Sequence, residues 1–178
     1  MKTFVIGSSH VTRLRKFIEK GNDWNLGDHV VKIQGVNGGT VSSMFRKLVD
    51  IEEFQPNVVF LQIGSNDIGN SKVTVKDVLM SIEILIDALL LGAKCVMFGL
   101  LIHREKVWAK RGLTLHENNS RIDELNSGLW EIRVIAKLPN SEQSSNGKVK
   151  THKYINRQNQ LTTGKLKTVM TLTWYRHF

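Results

Sequence analysis

One cysteine in 178 residues excludes an internal disulfide. That residue, Cys95, lies in the apolar run KCVMFGLL and is expected to be a buried, inert thiol. No Cys/His cluster suggests a metal site, and no cofactor is expected. The stretch TGKLKT (163–168) lacks the spacing of a phosphate loop. Trp24, Trp108, Trp130 and Trp174 are scattered, so they suggest no platform for stacking bases. Long hydrophobic runs are also missing. MKTFVIGSSH has a four-residue apolar run before Gly7, too short for a signal-peptide core. VLMSIEILIDALLLGA carries Glu83 and Asp87 and is too short to span a membrane. An intracellular protein with no membrane partner is the expectation.

What is present describes a folded chain. Hydrophobic residues make up 41% of it, and its length suits one domain. The formal charge of +9 is uneven: residues 138–178 hold seven Lys/Arg and one acid, Glu142. A basic tail attracts nucleic acid or acidic surfaces, or is simply solvated.

Four apolar runs alternate with four helical patterns. TFVI (3–6), HVVKIQ (29–34), PNVVFLQI (56–63) and AKCVMFGLL (93–101) read as strands. HVTRLRKFIEKG (10–21), VSSMFRKLVDIEEF (41–54), TVKDVLMSIEILIDALLLG (74–92) and a stretch from His116 to before Pro139 read as helices. Continuous rather than alternating strands, interleaved with helices, imply a parallel sheet covered on both faces. No repeat shorter than this βα unit is visible. After KLPN the regularity fails: SEQSSNGKVKTHK reads as loop, although KTVMTLTWY has β-type composition. The expected division is an α/β domain over 1–137 and a basic, irregular tail over 138–178.

In open parallel sheets, ligands bind beyond the carboxyl ends of the strands. There the sequence places Gly7-Ser8-Ser9-His10, then Gly35-Val36-Asn37-Gly38-Gly39-Thr40, then Gly64-Ser65-Asn66-Asp67, then Gly99 and His103. In a flavodoxin-like order the first three tips converge. Ser8 and Ser9 stand at a helix opening, where either one caps the helix or acts as a nucleophile near the positive end of its dipole. The glycines of GVNGGT allow close backbone approach or simply make a turn. Asn66 is a fixed amide donor or a turn residue; Asp67 reads as orienting or structural. A hydroxyl among N–H donors is the layout for acyl transfer.

These three tips resemble the motifs of the SGNH (GDSL-type) hydrolases, in the right order over about residues 2–137. GSSH is similar to the family's Gly-Asp-Ser, GVNGGT to its glycine motif, and GSND fits its Gly-x-Asn-Asp at every position. The resemblance implies a three-layer α/β/α fold with a parallel, flavodoxin-like sheet in order 2-1-3-4, the fifth strand missing or replaced. It implies a small-molecule ester substrate, Ser9 as nucleophile, and an oxyanion hole from the Ser9 N–H, the Gly38 N–H and the Asn66 side chain. Two departures stand out. Ser8 replaces the motif aspartate, and the C-terminal Asp-x-x-His motif is missing, since no aspartate follows Asp123. His103 and His152 are the histidines considered as a substitute base, with a solvated or structural role as the alternative for each. His10 is expected to point along the helix start. The readings are therefore a serine ester hydrolase-like domain, active or decayed, or a non-catalytic binding module. Nucleic-acid association through the tail is a further expectation.

Overall fold

The computed structural model describes residues 1–21, 28–107, 112–132 and 171–172. The four apolar runs are strands: β1 (Lys2–Gly7), β2 (Val30–Gly35), β3 (Val58–Gln62) and β4 (Cys95–Gly99). They pair in parallel in the order β2-β1-β3-β4. The fifth position, expected to be missing or replaced, holds a two-residue strand, β5 (Thr171–Leu172), parallel to β4. The rest of the basic tail, including His152 and the expected boundary at 137/138, lies outside the described residues.

Between the strands run α1 (Ser9–Glu19), α2 (Val41–Met44), a 3₁₀ turn (Phe45–Lys47), α3 (Leu48–Phe54), α4 (Ser65–Ile68), α5 (Val75–Gly92) and α6 (Leu115–Glu131). Three of these helices start on reciprocal capping boxes: Thr40 with Ser43, Thr74 with Asp77 and Thr114 with Glu117. Each satisfies two backbone donors that the helix leaves without partners.

The chain steps one way from β1 to β2 and the other way from β3 to β4. Right-handed crossovers therefore put α1 on one face and the later helices on the other. Burial follows that division. Phe4, Ile6, Val59, Leu61, Val96 and Phe98 form a core with Ile82, Leu85 and Leu89 of α5 and Ile122 and Leu125 of α6. The alternate residues Val58, Phe60, Cys95 and Met97 are only half-buried. Cys95 is thus less enclosed than expected, though burial still raises its thiol pKa. Among the described residues, no helix is long and apolar enough to cross a membrane.

Three local differences from the sequence expectation have physical causes. The helix expected over 41–54 is interrupted by the 3₁₀ turn after Met44. The Gly-Ser-Asn-Asp tip winds into the single turn α4, with Gly64 at φ 107° before it, a conformation open to glycine. The last helix ends at Glu131, where Ile132 turns extended; the rest of the stretch expected to be helical, from 133 on, lies outside the described residues. Ile132 is β-branched and a weak helix former.

Candidate active site

Sheet register sets most of this site. Gly7 lies opposite Gly35 on one side and Gln62 on the other, and neighbouring strands run about 4.8 Å apart. The three following loops are stitched together. Ser8 N–H donates to Gln62 O (3.0 Å), and Val36 N–H donates to Gly7 O (2.9 Å). Asn66 Nδ2 donates to Gly39 O (2.9 Å). The loops bearing Ser9, Gly38 and Asn66 therefore leave the sheet at one edge and are tied to one another.

The two serines have different surroundings. Ser8 is fully buried, and its Oγ donates to Gln62 Oε1 (3.1 Å) instead of capping α1. Ser9 is the first residue of α1, partly exposed at the rim, and its hydroxyl makes no hydrogen bond among the described residues. Position and exposure thus separate an inner serine, which joins two strands, from an outer one able to meet a ligand.

Gly38 occupies the third position of a β-turn closed by Gly39 N–H to Val36 O (2.9 Å). Its φ of 67° is the conformation such a turn favours in glycine, and the residue is exposed. Turn geometry and rim placement coexist there. Asp67 fixes the next stretch: both carboxylate oxygens accept from Val41 N–H, at 3.1 and 3.2 Å. It holds the start of α2 against the β3 tip, as an orienting residue. Asp67→Ala is expected to lower stability by about 1.5–3 kcal/mol, the range for a hydrogen bond to a charged group. Chemical denaturation would read this as a lower midpoint at unchanged slope.

A cation unforeseen from the sequence completes the rim. Arg104, on the loop after β4, reaches back so that its guanidinium donates to Ser65 O (2.8 Å) and Asn66 Oδ1 (3.4 Å). Its backbone is clamped by Asn119 of α6, whose Oδ1 accepts from Arg104 N–H (2.9 Å) and whose Nδ2 donates to Arg104 O (3.1 Å). Asn126 holds Leu101 in the same way, with both bonds at 2.9 Å. The signal available in the sequence was the seven-residue spacing of Asn119 and Asn126, which puts both amides on one helix face.

The histidines separate clearly. His103 Nε2 lies 2.7 Å from Asp123 Oδ1 of α6, with side chains 54% and 63% exposed. The loop histidine thus has a carboxylate partner that sequence spacing did not reveal. His10 is exposed beside Ser9, and its pKa is lowered by partial desolvation first, then by the charges of Arg13 and Arg104. No group of three potential metal ligands exists among the described residues.

The chain matches no known family model and no curated protein sequence. Its fold does match solved structures. A GDSL-like lipase from Bacteroides thetaiotaomicron superposes with a TM-score of 0.56 at 14% identity, over 73% of this chain and 62% of that one. A Bacteroides fragilis protein, provisionally described as an acylhydrolase, gives 0.53 at 15%, over 73% and 61%. This chain spans about three-fifths of the length of each. The fold is that of the SGNH (GDSL-type) hydrolases: a parallel α/β sheet with flanking helices.

Proposed function

We propose that the rim is the active site of a serine ester hydrolase-like domain acting on a small ester. Ser9 Oγ attacks the acyl carbonyl, forming a tetrahedral oxyanion. The N–H groups of Ser9 and Gly38 and the Asn66 amide stabilise its charge, and collapse expels the alcohol and leaves an acyl-serine that water hydrolyses. His103, oriented by Asp123, is the described histidine with the partner a general base needs. The observation that carries this reading is the bond between Asn66 Nδ2 and Gly39 O, which brings the amide against the glycine turn beside the loop of Ser9.

A second reading, a non-catalytic binding module using the same rim, is favoured by one observation. Ser9 Oγ has no hydrogen-bonded base among the described residues, while His103 is engaged with Asp123 at an exposed edge. A fluorophosphonate probe decides between them. Covalent labelling mapped by peptide mass spectrometry to Ser9, and not to the buried Ser8, is the expected result. A well-folded protein that takes up no label would leave the binding module.

A further inference from the structure

We propose that Asn37 is a self-modification site on the rim. Its side-chain amide condenses with the Gly38 nitrogen, and hydrolysis of the resulting ring leaves an aspartyl or isoaspartyl residue that disables the glycine turn as a donor. The modification stands by itself, while its effect on catalysis rests on the serine hydrolase reading.

Asparagine is a thermolabile residue, and a following glycine makes it more so, because no side chain shields the attacking nitrogen. Among the described residues, Asn37 is the asparagine that glycine follows. The others are held or enclosed. Asn66 donates to Gly39 O, and Asn119 and Asn126 each bond a loop residue through both amide atoms. Asn57 and Asn70 accept from backbone N–H groups, and Asn118 is fully buried. Asn37 and Gly38 are both exposed, and neither the Asn37 amide nor the Gly38 N–H has a hydrogen-bond partner among the described residues. Nothing lies within 4 Å of the place a β-carbon would take at Gly38, so the turn tip is uncrowded. One bond spans the turn, Gly39 N–H to Val36 O at 2.9 Å, and it resists the backbone rotation that ring closure requires.

The chemistry needs water and no oxidant or reductant. The deprotonated Gly38 nitrogen attacks Asn37 Cγ and forms a C–N bond. The bond from Cγ to Nδ2 breaks, and the amide leaves as ammonia with the proton that the Gly38 nitrogen gave up. A water molecule then opens the ring, adding its hydroxyl to one carbonyl carbon and its proton to the nitrogen. Opening at Cγ gives aspartate. Opening at the backbone carbonyl gives isoaspartate, in which the chain runs through the side chain. The closed ring leaves Gly38 without an N–H. The isoaspartyl form restores it on a backbone lengthened by a carbon, and either product places a carboxylate where an oxyanion has to be stabilised.

The test incubates the full chain in mildly alkaline and mildly acidic buffer. Mass spectrometry follows the tryptic peptide 33–46, whose single asparagine is Asn37, beside the peptide 122–133, whose single asparagine is Asn126. In alkaline buffer the first peptide should gain the mass difference between an amide and an acid and become open to isoaspartyl-specific methylation, while the second stays unchanged. Ester hydrolysis should fall in step, by about 10²-fold at full conversion, the size of losing one oxyanion donor. Asn37→Gln keeps an amide but must close a larger ring, so it should show neither the mass gain nor the decline. An Asn37 peptide that changes no faster than the Asn126 peptide overturns the proposal. Conversion in a chain that hydrolyses no ester even when fresh supports the modification site and removes the hydrolase reading. Hydrolysis undiminished after full conversion overturns the effect on the donor and leaves the hydrolase reading in place.

Discussion

Ser9→Ala is expected to reduce ester hydrolysis by on the order of 10⁴-fold or more, leaving only what the oxyanion donors and binding contribute. The folded state should hardly notice. The lost hydroxyl makes no hydrogen bond among the described residues, and Ser9 is partly exposed at the helix start. Ser8→Ala should do the opposite. It removes the bond to Gln62 Oε1 from a fully buried site, costing about 1 kcal/mol or somewhat more in stability while leaving a substantial rate. Steady-state kinetics and thermal unfolding of the two variants together separate the roles. Loss of activity in Ser8→Ala with retention in Ser9→Ala would reverse the assignment of the nucleophile.

Gly35→Val is expected to be strongly destabilising. A β-carbon at Gly35 would lie 2.6 Å from Thr12 Cα and closer still to the Thr12 amide and hydroxyl. The obstacle is helix backbone, which cannot swing aside as a side chain can. α1 would have to lift off β2, taking Ser9 with it. Overpacking commonly costs 1–3 kcal/mol; here about 3 kcal/mol or more is expected, against a total of roughly 5–15. Gly38→Ala is the control. Nothing lies within 4 Å of an added β-carbon there, so only the positive φ opposes it, at about 1–2 kcal/mol. Denaturant midpoints for the pair would show the order. A Gly35→Val protein as stable as Gly38→Ala would mean that α1 does not pack on β2 at this point.

The strands were legible because each is a short apolar run with turn residues beyond it, a local property of sequence. α5 was legible for a related reason: its apolar stripe and Thr74 cap are both local. The Ser9, Gly38 and Asn66 loops were placed at one edge because parallel strands bring their tips together, which follows from strand order alone. What stayed hidden depends on contacts between distant segments. Arg104 carries no local signal, since nothing nearby in the sequence indicates that it reaches 38 residues back to Asn66. The pairing of His103 with Asp123 spans 20 residues between a loop and a helix, a spacing with no periodic meaning.

The paired asparagines of α6 have a mechanical meaning. Each side-chain amide imitates a peptide unit, offering one donor and one acceptor to a single residue of the loop after β4. A stretch that would otherwise wander is thereby bolted to a helix at two points, Leu101 and Arg104. The bolt continues through the arginine to Asn66. A displacement of α6 would thus travel as a rigid push to the Asn66 amide at the strand tips, a lever from the outer layer of the protein to the rim of the sheet.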